Sequence, residues 1–261
     1  MSPVALTIAG SDPSGGAGVQ ADLKTFHQFG VYGEAVITLL TVQNTVKTDR
    51  VEVMDPELVY QQIRAVVEDI PPGAIKTGSL GSPEVVRAIA RALEGFEAPL
   101  VIDPVLTNKH GVTLAPEAAW MAMREGLLQQ AALITPNVPE AEAFTGVKIE
   151  RPEDLRKAAL RLREMGAQDV LIKGGHLTGP PIDILLTGDV WHEFRAPRID
   201  THHTHGTGCT YSAAITAGLA RGQRIRDAVA RAKLFINEAI RSAPALGHGA
   251  GPVNHHAIPH S

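Results

Sequence analysis

Gly206-Thr207-Gly208-Cys209-Thr210 is the segment whose residue types and spacing point most directly to chemistry. Two glycines let consecutive backbone N–H groups converge, and a helix starting behind them adds its positive end, so an anion pocket is expected there. A thiol at a helix start is where thiolate formation is favoured, which makes Cys209 a candidate base; the ordinary alternative is a small packing residue. Lys76 and Lys173 each end a predicted strand and are placed to offset phosphate charge. Asp103 ends another, and Asn137 and Glu140 flank the exit of the next. Hard oxygens without sulfur or imidazole among them suit Mg²⁺ held largely through water beside phosphates. Any one carboxylate, taken alone, reads as a helix cap or a surface ion pair.

Other motifs carry less. Gly16-Ala17-Gly18-Val19-Gln20-Ala21 matches a dinucleotide-binding fingerprint in letters only. That fingerprint needs its glycines tight against the first strand and a carboxylate near the end of the second. Here the second strand ends in Thr41-Val42-Gln43-Asn44, without one. No Walker-type Gly-x-x-x-x-Gly-Lys-Ser/Thr occurs. His202, His203 and His205 cluster beside the Gly206 turn, and His248, His255, His256 and His260 lie in a Gly/Pro-rich tail. Neither group has the spacing of a zinc site.

Something must carry these turns to one place. Apolar runs at Val4–Ala9, Glu34–Leu40, Ala74–Lys76, Leu100–Asp103, Leu133–Thr135 and Val170–Lys173 alternate with segments of helical period. The helical segments are Val19–Phe29, Pro56–Asp69, Pro83–Leu93, Pro116–Leu128 and Pro152–Met165, several opening on a proline, and Thr210–Arg221 and Ile225–Ser242 close the chain. Continuous apolar strands are buried on both faces, so the sheet should be mostly parallel with helices on either side. Ile184–Leu186 and Val190–Phe194 flank Gly188-Asp189, the signal of an antiparallel hairpin at one edge. The reading is one doubly wound α/β domain over residues 1–261, with its polar turns gathered at the carboxyl ends of the strands, where such sheets bind ligands.

Composition agrees with this architecture. Of 261 residues, 44% are hydrophobic and 20% charged, the balance of a folded globular chain. A net charge of -4 offers no electrostatic reason to bind nucleic acid. The single cysteine cannot form an internal disulfide, MSPVALTIAG lacks a basic n-region, and no apolar stretch approaches membrane-spanning length. A cytoplasmic protein with no membrane partner is expected.

Taken together, the motifs resemble the ribokinase-like small-molecule kinases, and within them the hydroxymethylpyrimidine/phosphomethylpyrimidine kinases. The residues that carry the resemblance run the length of the chain. They are Ala9 to Gly18, Gln20 to Thr25, Gln43-Asn44-Thr45, Asp103-Pro104-Val105, Thr135-Pro136-Asn137 with Pro139-Glu140-Ala141, Lys173 to His176, Thr204 to Thr210, and Gly251-Pro252-Val253. The resemblance implies a ribokinase-like fold. It implies transfer of the γ-phosphoryl group of ATP to 4-amino-5-hydroxymethyl-2-methylpyrimidine, and then to the monophosphate so formed, in thiamine biosynthesis. It also implies a homodimer.

Carried over by residue, Gly10, Asp22, Gln43 and Asn44 would line the pyrimidine pocket and Cys209 would face the hydroxymethyl group. The residue chemistry, independently of the resemblance, assigns Gly206, Thr207 and Gly208 to the anion hole, Lys173, Asn137 and Lys76 to ATP, and Asp103 and Glu140 to Mg²⁺. Most ribokinase-like enzymes have aspartate after the Gly-Thr-Gly turn, whereas this subfamily has cysteine, as here. One departure is Ser79 in Lys76-Thr77-Gly78-Ser79-Leu80, where the family commonly has methionine. It leaves substrate range open, including pyridoxal and pyridoxine. A sugar kinase of the same fold and a non-catalytic pyrimidine-binding protein are the rival readings.

Overall fold

All eight apolar runs become strands, and a ninth strand joins them in one sheet of order β3-β2-β1-β4-β5-β6-β7-β8-β9 in the computed structural model, which describes residues 2–258. The strands are β1 (Val4–Ser11), β2 (Tyr32–Gln43), β3 (Thr48–Val53), β4 (Ala74–Thr77), β5 (Leu100–Ile102), β6 (Ala131–Ile134), β7 (Asp169–Ile172), β8 (Ile182–Thr187) and β9 (Val190–Arg195). From β2 through β1 and β4 to β7 every pairing is parallel. β8 and β9 add an antiparallel edge, the hairpin expected at Gly188-Asp189. The second antiparallel edge, β3 on β2, has no counterpart in the sequence reading. Its residues Thr48-Asp49-Arg50-Val51-Glu52-Val53 are mostly exposed and charged, so no apolar run announces it.

Helices α1 (Gly18–Gln28), α7 (Thr207–Ala220) and α8 (Ile225–Arg241) cover one face of the sheet. Helices α2 (Pro56–Asp69), α3 (Pro83–Ala92), α4 (Glu117–Ala122), α5 (Val138–Thr145) and α6 (Pro152–Glu164) cover the other. Asp55 and Ser82 cap α2 and α3 by accepting the amides of Leu58 and Val85, and Pro56 and Pro83 follow them in the first turn. The helix expected over Pro116–Leu128 is interrupted: α4 passes into a wider π turn at Met123–Leu127 and a 3₁₀ turn at Leu128–Gln130. Helix α5 is too short to show a period, but Asn137 and Glu140 cap it reciprocally.

α7 is buried at every position from Thr210 to Leu219. Alanine, glycine, serine and threonine dominate it, so its backbone lies close to the sheet and its first turn is held at the strand ends. After β1 the chain pairs β2 on one side and later returns to pair β4 on the other. That reversal opens a crevice at the carboxyl end of β1.

Candidate active site

A cavity of about 920 Å³ lies along the carboxyl ends of the strands. Gly10, Gln43, Ser79 and Val105 stand at one end, Asp183, Arg198, Lys233 and Asn237 at the other, and the Gly206–Cys209 turn between them. Two reactants can therefore approach the start of α7 from opposite sides.

That start is built as an anion site. Gly206 caps the helix with φ 77, and a Cβ on it would collide with the carbonyl oxygen of Gly16. Only glycine fits here. The Thr207 amide turns back to the Thr204 carbonyl at 3.3 Å, while those of Gly208 and Cys209 precede the first intrahelical acceptor and remain donors at the positive end of the helix. Gly208 needs no left-handed backbone; its demand is for space. A Cβ there would stand 3.4 Å from Lys173 Nζ and 3.8 Å from Asp103 Oδ2. Lys173 is thus at the anion site, where its ammonium also donates to Asp103 Oδ1 at 2.8 Å. Burial works against the charge on Lys173, but Asp103 and Glu140 outweigh it and hold it protonated.

Asp103 is 1% exposed and accepts from Lys173, Thr135 and Ser212, which keeps it ionised despite burial. Asn137 and Glu140 line the cavity as a capping pair: Asn137 N donates to Glu140 Oε2 at 2.7 Å and Glu140 N to Asn137 Oδ1 at 3.0 Å. Burial pushes Glu140 up to about 7 against the opposing pull of Lys173, with Asp103 adding to the rise. Among the described residues no group of three or more histidine, cysteine or acidic side chains gathers as a metal site. Two cavity-lining carboxylates whose charges repel do fit a cation held by one or two carboxylates, phosphates and water. Asp103 and Glu140 are the pair that would hold Mg²⁺.

Cys209 lies in the cavity wall, its sulfur accepting the Gly18 amide. The thiolate expected from the helix start is disfavoured near neutral pH. Burial pushes the thiol up to about 11; Lys76 pulls the other way, but Asp22 and Asp103 reinforce the rise.

Three expected site residues are elsewhere. Asp22 is fully buried, accepting Thr7 Oγ1 at 2.6 Å and Lys76 Nζ at 2.8 Å, and it does not line the cavity. Lys76, equally buried, is its partner rather than a phosphate ligand. Burial disfavours the charge on Lys76, but the carboxylates of Asp22 and Asp103 hold it protonated. The pair sets the field around Cys209, and Asp22 Oδ1 is left without a hydrogen-bond partner among the described residues. Asn44 is exposed; its Oδ1 accepts the amides of Val46 and Lys47, so it makes the β2–β3 turn rather than the pocket. Gly10 and Gln43 do line the cavity. A Cβ on Gly10 would press on Leu39 Cδ1 at 2.6 Å, so the bare backbone forms the wall there.

Asp12 and His205 carry roles that the sequence reading does not assign. Asp12 accepts the amides of Ser14, Gly16 and Ala17, the Ser14 hydroxyl and His205 Nε2 at 2.8 Å. Burial opposes its charge, but hydrogen bonds from His205, Ser14 and Gln43 hold it well below the usual carboxylate range. An aspartate followed by Pro-Ser-Gly-Gly-Ala-Gly is a recognisable loop-capping signal. Lys233, bonded to Asp183 at 2.6 Å, is a further one, though it shares the buried face of α8 with Val229 and Ile236. His203 Nδ1 accepts the Gly251 amide at 3.2 Å, His255 Nε2 lies 3.1 Å from Thr210 Oγ1, and His176 lines the cavity. His260 lies outside the described residues.

Residues 12–254 match the family model of phosphomethylpyrimidine kinase. The chain is 46% identical over 253 residues to the hydroxymethylpyrimidine/phosphomethylpyrimidine kinase of Streptomyces coelicolor, covering 97% of this chain and 94% of that one. It is 48% identical over 252 residues to the thiamine biosynthesis bifunctional protein ThiED of Geobacter sulfurreducens, covering 96% of this chain but only 51% of that longer protein. Among solved structures, pyridoxal kinase of Bacillus subtilis in complex with ADP superposes with a TM-score of 0.91 at 37% identity over 98% of both chains. Phosphomethylpyrimidine kinase of Clostridium difficile superposes at 0.81 with 43% identity, over 91% of this chain and 99% of that one. This chain belongs to the phosphomethylpyrimidine kinase family, on a ribokinase-like α/β fold.

Proposed function

We propose that the protein transfers the γ-phosphoryl group of ATP to the hydroxymethyl oxygen of 4-amino-5-hydroxymethyl-2-methylpyrimidine, and then to the phosphate of that product. The observation that carries this reading is the cavity with two ends and one anion site between them. Phosphoryl transfer needs alignment and charge stabilisation more than covalent help.

At the pyrimidine end, Gln43 Oε1 accepts Thr48 Oγ1 at 3.2 Å and its side chain also bonds Asp12. That fixes the amide in one orientation and leaves one donor and one acceptor for the amino group and adjacent ring nitrogen of an aminopyrimidine. The hydroxymethyl oxygen attacks the γ-phosphorus as the bond to the β–γ bridging oxygen breaks. The Gly208 and Cys209 amides and Lys173 stabilise the transferring group. Mg²⁺ bound near Asp103 and Glu140 would neutralise polyphosphate charge.

Cys209 is a protonated thiol near neutral pH, so it orients the hydroxymethyl group rather than taking its proton. In a loose transition state that proton leaves late and passes to a phosphoryl oxygen. Pyridoxal is a second acceptor to be weighed, because Ser79 presents a short hydroxyl side chain to the pocket wall.

A coupled assay of ADP release, run with hydroxymethylpyrimidine, its monophosphate and pyridoxal, tests the reading. Turnover with both pyrimidines and loss of it in excess chelator are expected. ATP consumption independent of any added acceptor would overturn the proposal.

A further inference from the structure

The stretch from Gly247 to Val253 has no part in the chemistry above, yet it grips both walls of the cavity mouth. On one wall it holds the β2–β3 turn. Gly249 N donates to Thr45 Oγ1 at 3.3 Å, and Ala250 N donates to the Thr45 carbonyl at 2.9 Å. A Cβ on Gly247 would collide with the Thr45 side chain, and one on Gly249 with the Thr45 carbonyl oxygen. On the other wall Gly251 N donates to His203 Nδ1, and His205 N donates to the Gly251 carbonyl at 3.1 Å. The far end is fixed, since Val253 is 1% exposed and Asn254 N donates to Ala239 of α8 at 2.9 Å.

The same two walls receive a flap. Residues 107–113 fold back through an antiparallel bridge between Thr107 and Thr113, and Leu106 to Lys109 line the cavity. Asn108 Nδ2 donates to Thr48 Oγ1 at 2.8 Å, and His110 Nε2 lies 3.1 Å from the Asn44 carbonyl oxygen, so one side of the flap rests on the β2–β3 turn. Lys109 donates to the His202 carbonyl at 3.3 Å and to Thr204 Oγ1, which brings the other side to the segment before α7. Thr45 and His203, which the strap holds, lie beside these landing points. Thr48 is also the residue that bonds Gln43.

We propose that Thr45, with Gly247 and Gly249 packed on it, is a positioning residue: the C-terminal strap fixes the seat of the flap and of Gln43, and so sets affinity for the pyrimidine without touching it. A β2–β3 turn that drifts from the strap carries Thr48 and Asn44 with it, and the flap loses one landing point. The nucleotide end is lined by other elements and keeps its geometry. The inference rests on the kinase reading, which turnover by the unmodified enzyme in the same assay tests separately.

Three variants test the inference. Gly249→Ala forces the strap off the Thr45 carbonyl, Thr45→Val removes the hydroxyl acceptor at nearly constant shape, and Thr45→Ser keeps that acceptor. Gly249→Ala is expected to raise the KM for hydroxymethylpyrimidine at least tenfold and Thr45→Val about threefold by the loss of one weak hydrogen bond. Thr45→Ser should stay within twofold of the parent, and the KM for ATP should stay within twofold throughout. Amide exchange at residues 44–48 and 107–113 should quicken in Gly249→Ala while β1 and α7 keep their protection. Equal rises in both KM values, or no change in the pyrimidine KM of a folded Gly249→Ala, would overturn the proposal. Should Gly249→Ala not fold, Thr45→Val and Thr45→Ser decide, and indistinguishable pyrimidine KM values for these two would overturn it.

Discussion

At the scale of single residues, the thiol of Cys209 is tuned against the role that its place in the chain suggests. A helix start lowers a thiol's pKa, but burial and the charges of Asp22 and Asp103 push this one up to about 11. A thiolate base would make turnover climb about tenfold per pH unit from neutrality toward that value, because the thiolate fraction climbs so. Above the titration of Glu140 an orienting thiol would leave turnover flat between pH 8 and 9, and the flat profile is expected. Cys209→Ala should then slow turnover by about 10²-fold, the scale of a misplaced reacting group, and leave ATP affinity unchanged. A steady rise of rate with pH in the parent enzyme would restore the base assignment. Gln43 is tested the opposite way. Its remaining donor and acceptor face an aminopyrimidine edge, so Gln43→Ala should weaken the pyrimidine by about 1–3 kcal/mol, on the scale of amide readout of adenine. Equal losses for both substrates would point to a folding defect instead.

At the scale of elements, the first turn of α7 divides its two requirements between two glycines. Gly206 is needed for its conformation and for the close approach of Gly16, Gly208 for the space in front of Lys173. The two substitutions should therefore fail differently. Gly206→Ala forces a side chain into a left-handed position against another backbone, so it should lower both stability, by about 1–3 kcal/mol, and activity. Gly208→Val keeps a helical backbone, where valine is no worse than glycine, and should change stability by about 1 kcal/mol or less, the scale of helix propensity. Its methyl groups stand where phosphate must approach, so ATP affinity should fall at least 100-fold in a protein that still folds. Urea titration and nucleotide titration of both variants separate the outcomes. Matching stability losses would mean that Gly208 is also a backbone requirement.

At the scale of the whole molecule, Glu34 is a carboxyl group that works against the fold. Glu34 sits in β2 opposite Leu6, 7% exposed, with Oε2 unpartnered. Burial raises it to about 7, and Asp69 adds to the rise. Between the ordinary glutamate pKa of about 4.3 and pH 7 the folded state binds more protons than the unfolded one, so this group's contribution to stability falls as pH rises through that window. Above it the full cost of a buried charge is present. Glu34→Gln removes the charge at nearly constant shape. It should be more stable than the parent by roughly 1–3 kcal/mol at pH 8 and little different at pH 5, since each tenfold change in proton affinity on folding is worth about 1.4 kcal/mol. Denaturant melts at both pH values check this, and an equal gain at both would remove Glu34 from the titration. The site itself lies at the opposite end of β2 from Glu34, so turnover in the variant should match the parent.

Much of this protein is written locally. Proline-led helices with apolar stripes and continuous apolar strands specify α2 over Pro56–Asp69 and the parallel heart of the sheet, because periodicity and caps depend only on near neighbours. The anion turn at Gly206–Cys209 is legible for the same reason: its glycines and the helix behind it are contiguous. Strand β3 is not, since an exposed charged edge takes its pairing from β2 rather than from its own residues. Asp22 and Lys76, 54 residues apart, read separately as a substrate ligand and a phosphate ligand; folding buries them against each other as an ion pair. The same burial reverses the expectation for Cys209. Sequence shows a thiol at a helix start, whereas its proton is governed by carboxylates from α1 and the end of β5 that only the packed sheet brings within range. Local order is set by bonds and neighbours along the chain, and the charge state of a buried group by the field of residues distant in sequence.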